Sequence, residues 1–460
     1  MLGFWRENVS AVGLRNVGSS TFGLSIVTAL VLGIMAAPAR SQGQELLISP
    51  TDARERDVYY PNSETLAPDE MRVIACGTGM PTTRAAQAAA CFLVELGNGD
   101  KFIFDIGSGS AERLSSLQIP YEFLDKVFLG HLHADHFGSL GELFIGGALM
   151  GRHVPLRVWG PRGATEELGT AYAVESLKRM YTWDLAGRAG LIDFRGFNIE
   201  ATEFDYKAEN AVVYEENGVT IRSFPAIHSI DGPVSYSLEW NDLKFVFSSD
   251  SYPNKWFLEY AKDGDLVVHE CFVAVPSLVQ KMGFSPEAAL LVGTQIHTAP
   301  EAFGKIMAEV KPRHAVAYHF FKDFDTTAEV HDRIRTTYDG PLSLAEDFMV
   351  WNITKDEIRV RLGVAEEATW APPYATATTP PDPGQTKPSS ARARECHLKQ
   401  WSTPTSLPRG RGTGSMMFCA MYTRKQAKSS VASSSIRRTS DKRCAALIWA
   451  AHFSIAAKNL

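Results

Sequence analysis

The stretch Gly130-His131-Leu132-His133-Ala134-Asp135-His136-Phe137-Gly138 constrains this chain more than any other. Three imidazoles and one carboxylate fall within six residues, directly after an apolar run, Lys126-Val127-Phe128-Leu129, that reads as a strand entering a loop. Only 12 His are spread over 460 residues, so composition does not explain the H-x-H-x-D-H spacing. Imidazole nitrogen and carboxylate oxygen are ligands that a borderline cation such as Zn²⁺ accepts. At a strand end His131 and His133 turn to one side and Asp135 and His136 to another, so one short loop serves two ions. Ions paired about 3.5–4 Å apart deprotonate a water and hold the oxygens of an ester as it is displaced.

The surrounding chain alternates strand and helix. Met71-Arg72-Val73-Ile74-Ala75-Cys76 reads as a strand running into the turn Gly77-Thr78-Gly79-Met80-Pro81. A hairpin follows: Cys91 to Leu96 and Lys101 to Asp105 pair around Gly97-Asn98-Gly99, and the second strand ends in Asp105-Ile106-Gly107-Ser108-Gly109. Residues 111–125 and Leu140 to Met150 have helical spacing, and Leu156 to Pro161 is another strand. Such alternation predicts a layered α/β architecture. Further on, Val219 to Ile227 delivers His228 to a strand end. Val234 to Trp240 and Lys244 to Ser249 form a hairpin that delivers Asp250, and His314 to Tyr318 is a strand that delivers His319. Taken alone, His228 or Asp250 reads as a cap or surface residue. Two later segments also attract notice, Asp265-Leu266-Val267-Val268-His269-Glu270-Cys271-Phe272 and Gln295-Ile296-His297-Thr298-Ala299.

In this order the motifs resemble those of the metallo-β-lactamase superfamily, and the later segments resemble its ribonuclease Z and arylsulfatase-like branch, over roughly residues 70–362. The resemblance implies an αββα sandwich of the metallo-β-lactamase type. It implies that His131, His133 and His228 hold one zinc, that Asp135, His136 and His319 hold the other, and that Asp250 bridges them. Ser248-Ser249-Asp250-Ser251 resembles the usual S-G-D-T, with Ser in place of Gly and Thr. Asp105 matches an Asp that supports the metal loop by hydrogen bonding, as ligands that must be held in orientation require. Asp135 is also expected to orient the attacking water. His297, backed by Glu270, is the expected proton donor to the leaving oxygen, since an imidazole beside a carboxylate is poised near neutral pH. His153, His269, His314 and His331 are expected to be structural or exposed.

The expected cofactors are two Zn²⁺ per chain, with Mn²⁺ or Fe²⁺ as alternatives. The expected reaction is metal-dependent hydrolysis of an ester, first a phosphodiester and second, as in arylsulfatase-like members, a sulfate ester. In ribonuclease Z a long basic arm that clamps transfer RNA lies between the positions matching His228 and Asp250. Here 21 residues separate them, which leaves room for a hairpin alone. The expected partner is therefore a small-molecule ester and not transfer RNA, with a homodimer as an allowed assembly. A non-catalytic metal-binding protein on the same fold is the reading from another class, and the completeness of the ligand set argues against it. A flavo-diiron enzyme would need a flavin domain after the metal domain and a further acidic ligand where Ala134 stands.

Charge agrees with a small substrate. Residues 384–460 hold 14 Lys plus Arg against 2 acidic residues, so a chain of net −6 leaves −18 for the rest. That balance does not suit a phosphate-backbone surface, which needs clustered basic charge. Six Cys show no C-x-x-C pairing, and Cys76, Cys91 and Cys271 read as small apolar core residues.

The ends complete the expected organisation. Residues 22–37 are an uncharged apolar run after Arg6 and Arg15 and before Ala37-Pro38-Ala39. This is the pattern of a secretory signal, with an uncleaved anchor as the alternative. The expected organisation is a signal peptide or anchor over 1–43, an N-terminal arm over 44–70, the catalytic domain over 71–363 and a disordered Pro/Ser-rich basic tail over 364–460. A cleaved signal implies a periplasmic or secreted protein without stable membrane insertion. Residues 162–215 read as a structural insertion with a helix from Ala164 to Tyr181; a lid over the site is the other reading.

Overall fold

The computed structural model describes residues 57–189, 194–366 and 368–372. Two sheets pack face to face, their strands numbered in chain order. Among the described residues the first sheet runs β1 (Val58–Tyr59), β16 (Ile358–Gly363), β15 (Met349–Ile353), β2 (Met71–Gly77), β3 (Cys91–Leu96), β4 (Lys101–Phe104), β5 (Lys126–Phe128), β6 (Leu156–Arg162), β7 (Ile199–Asp205). The second runs β14 (Leu342–Leu344), β13 (His314–Tyr318), β12 (Leu266–Glu270), β11 (Leu243–Phe247), β10 (Val234–Trp240), β9 (Val219–Pro225), β8 (Ala211–Glu216).

Three apolar layers make the αββα sandwich. The inner faces of both sheets meet in a core that includes Val73, Phe92, Phe104, Phe128, Tyr236, Phe245, Phe247 and Trp351. The outer face of the first sheet packs against helices Ser110–Ser116, Leu140–Leu149 and Thr170–Met180 through residues such as Leu114, Phe144 and Val174. Helices Lys255–Tyr260, Pro300–Val310 and Phe324–Arg335 cover the second sheet through Phe257, Phe303 and Val330. Central strands are covered on both faces and therefore read as near-continuous apolar runs. Phe104 shows how packing sets the functional edge. Its ring lies 5.5 Å from Phe128 and 5.1 Å from Phe245, so the core clamps β4 one residue before Asp105. Truncating such a residue typically costs about 3–5 kcal/mol.

Several expectations change. The helix expected over Ala164 to Tyr181 spans Thr170–Met180, and besides it and helix Thr182–Arg188 the insertion supplies β7 and β8, one edge strand for each sheet. Only alternate residues of β7 are shielded, so its apolar signal is weak. Ile353 to Leu362, whose alternation reads as one final strand, belongs to a hairpin of β15 and β16, turned where Thr354 N bonds Glu357 O at 2.9 Å. The folded unit also exceeds the expected 71–363. β1, from the segment expected as an arm, pairs parallel to β16; Val364 N bonds Tyr59 O, and Ala371 is buried on the outer face of the first sheet. The signal segment, residues 44–56 of the arm and the tail beyond 372 lie outside the described residues. Among the described residues no helix is long and apolar enough to cross a membrane.

Cys76 and Cys91 are joined by a disulfide and are not two free core thiols. The pairing is invisible without the register: β2 and β3 are antiparallel neighbours with an irregularity between Ala75 and Gly77, which brings the two Cα atoms to 5.0 Å. Cys271 remains a buried free thiol. The bridge spans 15 residues, and a loop of that length predicts about 3 kcal/mol of stabilisation in the chain-entropy account. The Cys76→Ser, Cys91→Ser double variant is expected to lose that amount in urea unfolding. An unchanged midpoint would show the bridge to be energetically idle.

Candidate metal centre

The candidate ligands gather where strands end. β4 runs into Asp105, β5 into the Gly130–Gly138 loop, β11 towards Asp250 and β13 into His319, while β12 ends on Glu270 and β9 leads to His228. β4 and β5 are parallel, and so are β11, β12 and β13. Parallel strands place their C-terminal ends on one edge, the usual location of ligand sites in α/β sheets. Both sheets are joined there, because Val234 N bonds Gly130 O at 2.9 Å and Tyr236 Oη donates to Leu129 O at 2.6 Å. Within the loop His133 is extended and Ala134–Phe137 forms one helical turn. That turn separates Asp135 and His136 from His131 and His133.

Two ligand sets result. In the first, His133 Nδ1 lies 3.0 Å from His131 Nε2 and 3.2 Å from His228 Nε2. Asp250 Oδ2 stands 3.9 Å and 3.7 Å from those two Nε2 atoms. In the second, Asp135 Oδ2 is 3.4 Å from His136 Nε2 and 3.1 Å from His319 Nε2. Asp250 Oδ1 is 3.2 Å from His136 Nε2, and Asp250 Oδ2 is 3.3 Å from His319 Nε2. Ligand atoms about 2.0–2.1 Å from a tetrahedral cation stand roughly 3.3 Å from one another. Both oxygens of Asp250 and Nε2 of His136 are buried without a hydrogen-bond partner. Burying such atoms is costly unless something pairs them. Donor chemistry, spacing and orphaned atoms thus all fit divalent cations.

A second layer holds these ligands in place. Asp105 is fully buried; Oδ1 accepts from Gly130 N at 2.7 Å, and Oδ2 accepts from His136 Nδ1 at 2.7 Å and Ser249 Oγ at 2.8 Å. His131 Nδ1 is 3.1 Å from Ser249 Oγ, and His228 Nδ1 is 3.3 Å from the Ile296 carbonyl. Asp105, Ser249 and His319 all have left-handed backbones, with φ of 55°, 51° and 76°. Strain of this kind persists where surrounding structure over-determines it.

Electrostatics prepare the same groups. Burial drives His228 down to about 3 against the pull of Asp250, and takes His131 well below the usual imidazole value. Both are thus neutral, the form that ligates. For His136 burial is outweighed by the carboxylates of Asp250, Asp135 and Asp105, which raise it well above the ordinary value. Burial also works against ionising Asp135 and Asp250, yet His136 and its neighbours hold both below the usual carboxylate range. A cation entering here displaces the His136 proton.

His297 and Glu270 adjoin this cluster. His297 Nδ1 lies 3.1 and 3.0 Å from the two Glu270 oxygens and 3.9 Å from Asp250 Oδ2. Its ring stacks flat on Phe272, centroids 4.1 Å apart. Burial lowers the His297 pKa, but the Glu270 carboxylate more than reverses this and raises it. Glu270 Oε1 also accepts from Ser251 N at 2.8 Å, which ties it to the strand end carrying Asp250. Glu270, His297, Asp250 and His319 form a further group of ligand-type atoms, all within 4.8 Å of one another.

Three other described histidines lie outside the ligand sets. His269 is buried between Phe257 and Phe303, with Nδ1 on the Glu270 carbonyl at 2.7 Å, and burial drives it down to about 4. His314 bonds Ser343, and His331 is exposed beside Asp332. Sequence reasoning assigned no role to Ser249, although its place in a slot that resembles glycine was the available signal.

Comparison with known proteins agrees with this arrangement. A family model described as "Anti-Pycsar protein Apyc1" matches residues 71–281. Ribonuclease Z of Mycobacterium sp. (strain KMS) is 27% identical over 202 residues, which cover 43% of this chain and 68% of that protein. Ribonuclease Z of Bacteroides fragilis is 31% identical over 163 residues, 35% of this chain and 46% of that protein. Among solved structures, the metallo-beta-lactamase fold protein YhfI from Bacillus subtilis superposes with a TM-score of 0.47 at 19% identity, covering 62% of this chain and all of that one (100%). The ribonuclease Z relatives support a metal-dependent hydrolase of the metallo-β-lactamase superfamily. Within that superfamily the sequence likeness is to ribonuclease Z.

Proposed function

We propose that this chain hydrolyses a small-molecule phosphodiester with two Zn²⁺, one in each ligand set sharing Asp250. The observation that carries the reading is that shared carboxylate, with both oxygens buried between the two sets. When bound, the ions supply a water of lowered pKa and positive charge against the developing oxyanion. The chain does the rest. Asp135, kept ionised by His136 and His319, is the acceptor that orients the attacking water. His297 carries the proton for the leaving oxygen, and Glu270 fixes its ring and keeps it protonated towards neutral pH.

The surroundings favour a small substrate. Beside His228 lies a cleft of about 400 Å³, lined by Tyr206, Lys207, Ile227, Ile230 and Trp256. A cleft of this size and mixed lining is typical of small-molecule sites. The Cys76–Cys91 bridge and the apolar run at 22–37 support a secreted or periplasmic location, since disulfides persist in oxidising compartments.

The test pairs metal content of the full chain with hydrolysis of bis-p-nitrophenyl phosphate and p-nitrophenyl sulfate. Two zinc per chain and phosphodiester turnover that is lost in His131→Ala are expected. Sulfate turnover alone would move the protein to sulfate esters. Two zinc with neither activity would remove the substrate assignment.

A further inference from the structure

We propose that Ser249 is a positioning residue through which one carboxylate, Asp105, orients ligands of both ion sites; the inference rests on the metal-centre reading above. Asp105 Oδ2 takes the Nδ1 proton of His136, a ligand of the second set, directly at 2.7 Å. It reaches His131, a ligand of the first set, only through Ser249. Ser249 Oγ lies 2.8 Å from Asp105 Oδ2 and 3.1 Å from His131 Nδ1. A hydroxyl has one proton and free lone pairs. Given to the carboxylate, that proton leaves the oxygen to accept from His131 Nδ1–H. The tautomer of His131 is thereby set, with the lone pair on Nε2, the atom facing His133. The oxygens of Asp105 accept from Gly130 N, His136 Nδ1 and Ser249 Oγ, so its link to His131 runs through the Ser249 hydroxyl.

Two further features show that the hydroxyl is built in. Ser249 is fully buried and left-handed, with φ of 51°, a conformation that glycine adopts freely and serine does not. The chain keeps the side chain despite that cost. Space for it exists only because residue 130 is glycine: a Cβ there would fall 2.2 Å from Ser249 Cβ and 2.3 Å from its Oγ. Gly130 and Ser249 are thus complementary across the two sheets.

The test separates positioning from mere support. Ser249→Gly and Ser249→Ala are made in the full chain, stripped of metal and titrated with Zn²⁺ against a chromophoric chelator, and each metal-free protein is unfolded in urea. Loss of an outer partner of a ligating histidine typically weakens metal binding about 10–100-fold. We expect that loss in both variants at one of the two sites, the set containing His131, with the other less affected because Asp105 still holds His136. The metal-free Ser249→Gly protein is expected to unfold near the wild-type midpoint, since relief of the left-handed backbone offsets the lost hydrogen bonds. Wild-type zinc affinity in both variants would overturn the proposal. So would an affinity loss in Ser249→Gly that is matched by an equal loss of metal-free stability. A wild-type chain that takes up no divalent ion would overturn it together with the metal-centre reading, whereas two zinc in wild type and unaffected variants would sink the relay alone.

Discussion

Asp250→Ala is expected to empty both ion sites together and to lower kcat/KM by about a thousandfold or more, that is by roughly 4 kcal/mol of transition-state stabilisation. Asp250 is the member common to both ligand sets, and its two oxygens approach His136 and His319 at 3.2 and 3.3 Å. No other side chain stands in both sets, so His131→Ala should weaken one site and spare most of the second. Zinc content by mass spectrometry under native conditions, measured beside hydrolysis, checks this. If Asp250→Ala retained two ions, the shared-ligand geometry would be wrong. The change must also be separated from unfolding. Asp250 holds a protonated His136 in a buried site, so its loss weakens the metal-free fold as well, and far-ultraviolet circular dichroism of the variant is the control.

His297→Ala carries the second large effect. Positioned general acids contribute about 10²–10⁴-fold, and that loss is expected for esters whose leaving alkoxide needs a proton. For p-nitrophenyl esters the loss should be small, because p-nitrophenolate leaves as a stable anion. The pH dependence has a definite sign. The acid acts in its protonated form, and Glu270 raises the His297 pKa, so activity is present below that raised value and falls as pH rises through it. Glu270→Gln removes the carboxylate that raises it and should move the alkaline limb to lower pH. An unshifted limb would take His297 out of the proton-donor role and leave it as a packing partner of Phe272.

Much of the site was legible in the chain. Ligands packed as His131, His133, Asp135 and His136 must converge whatever the fold, because a single loop carries them. The order of His228, Asp250 and His319, each after an apolar run, was equally readable once the loop was known. Asp105 stood out for the same reason: it ends a strand of the first hairpin. The less visible features depend on proximity between distant segments. Ser249 and His131 are 118 residues apart, so their bond has no local signature. β7 escaped notice because only some of its residues face the core.

By itself, then, the sequence determined the chemistry: which side chains can ligate, in what order they come, and that helices and strands alternate around them. Those properties are local, set by residue type and by spacing along a strand or loop. Tertiary structure alone decided that Ser249 links Asp105 to His131 and that Cys76 meets Cys91. These depend on register between strands and on how two sheets lie face to face, and register comes from the packing of the whole core.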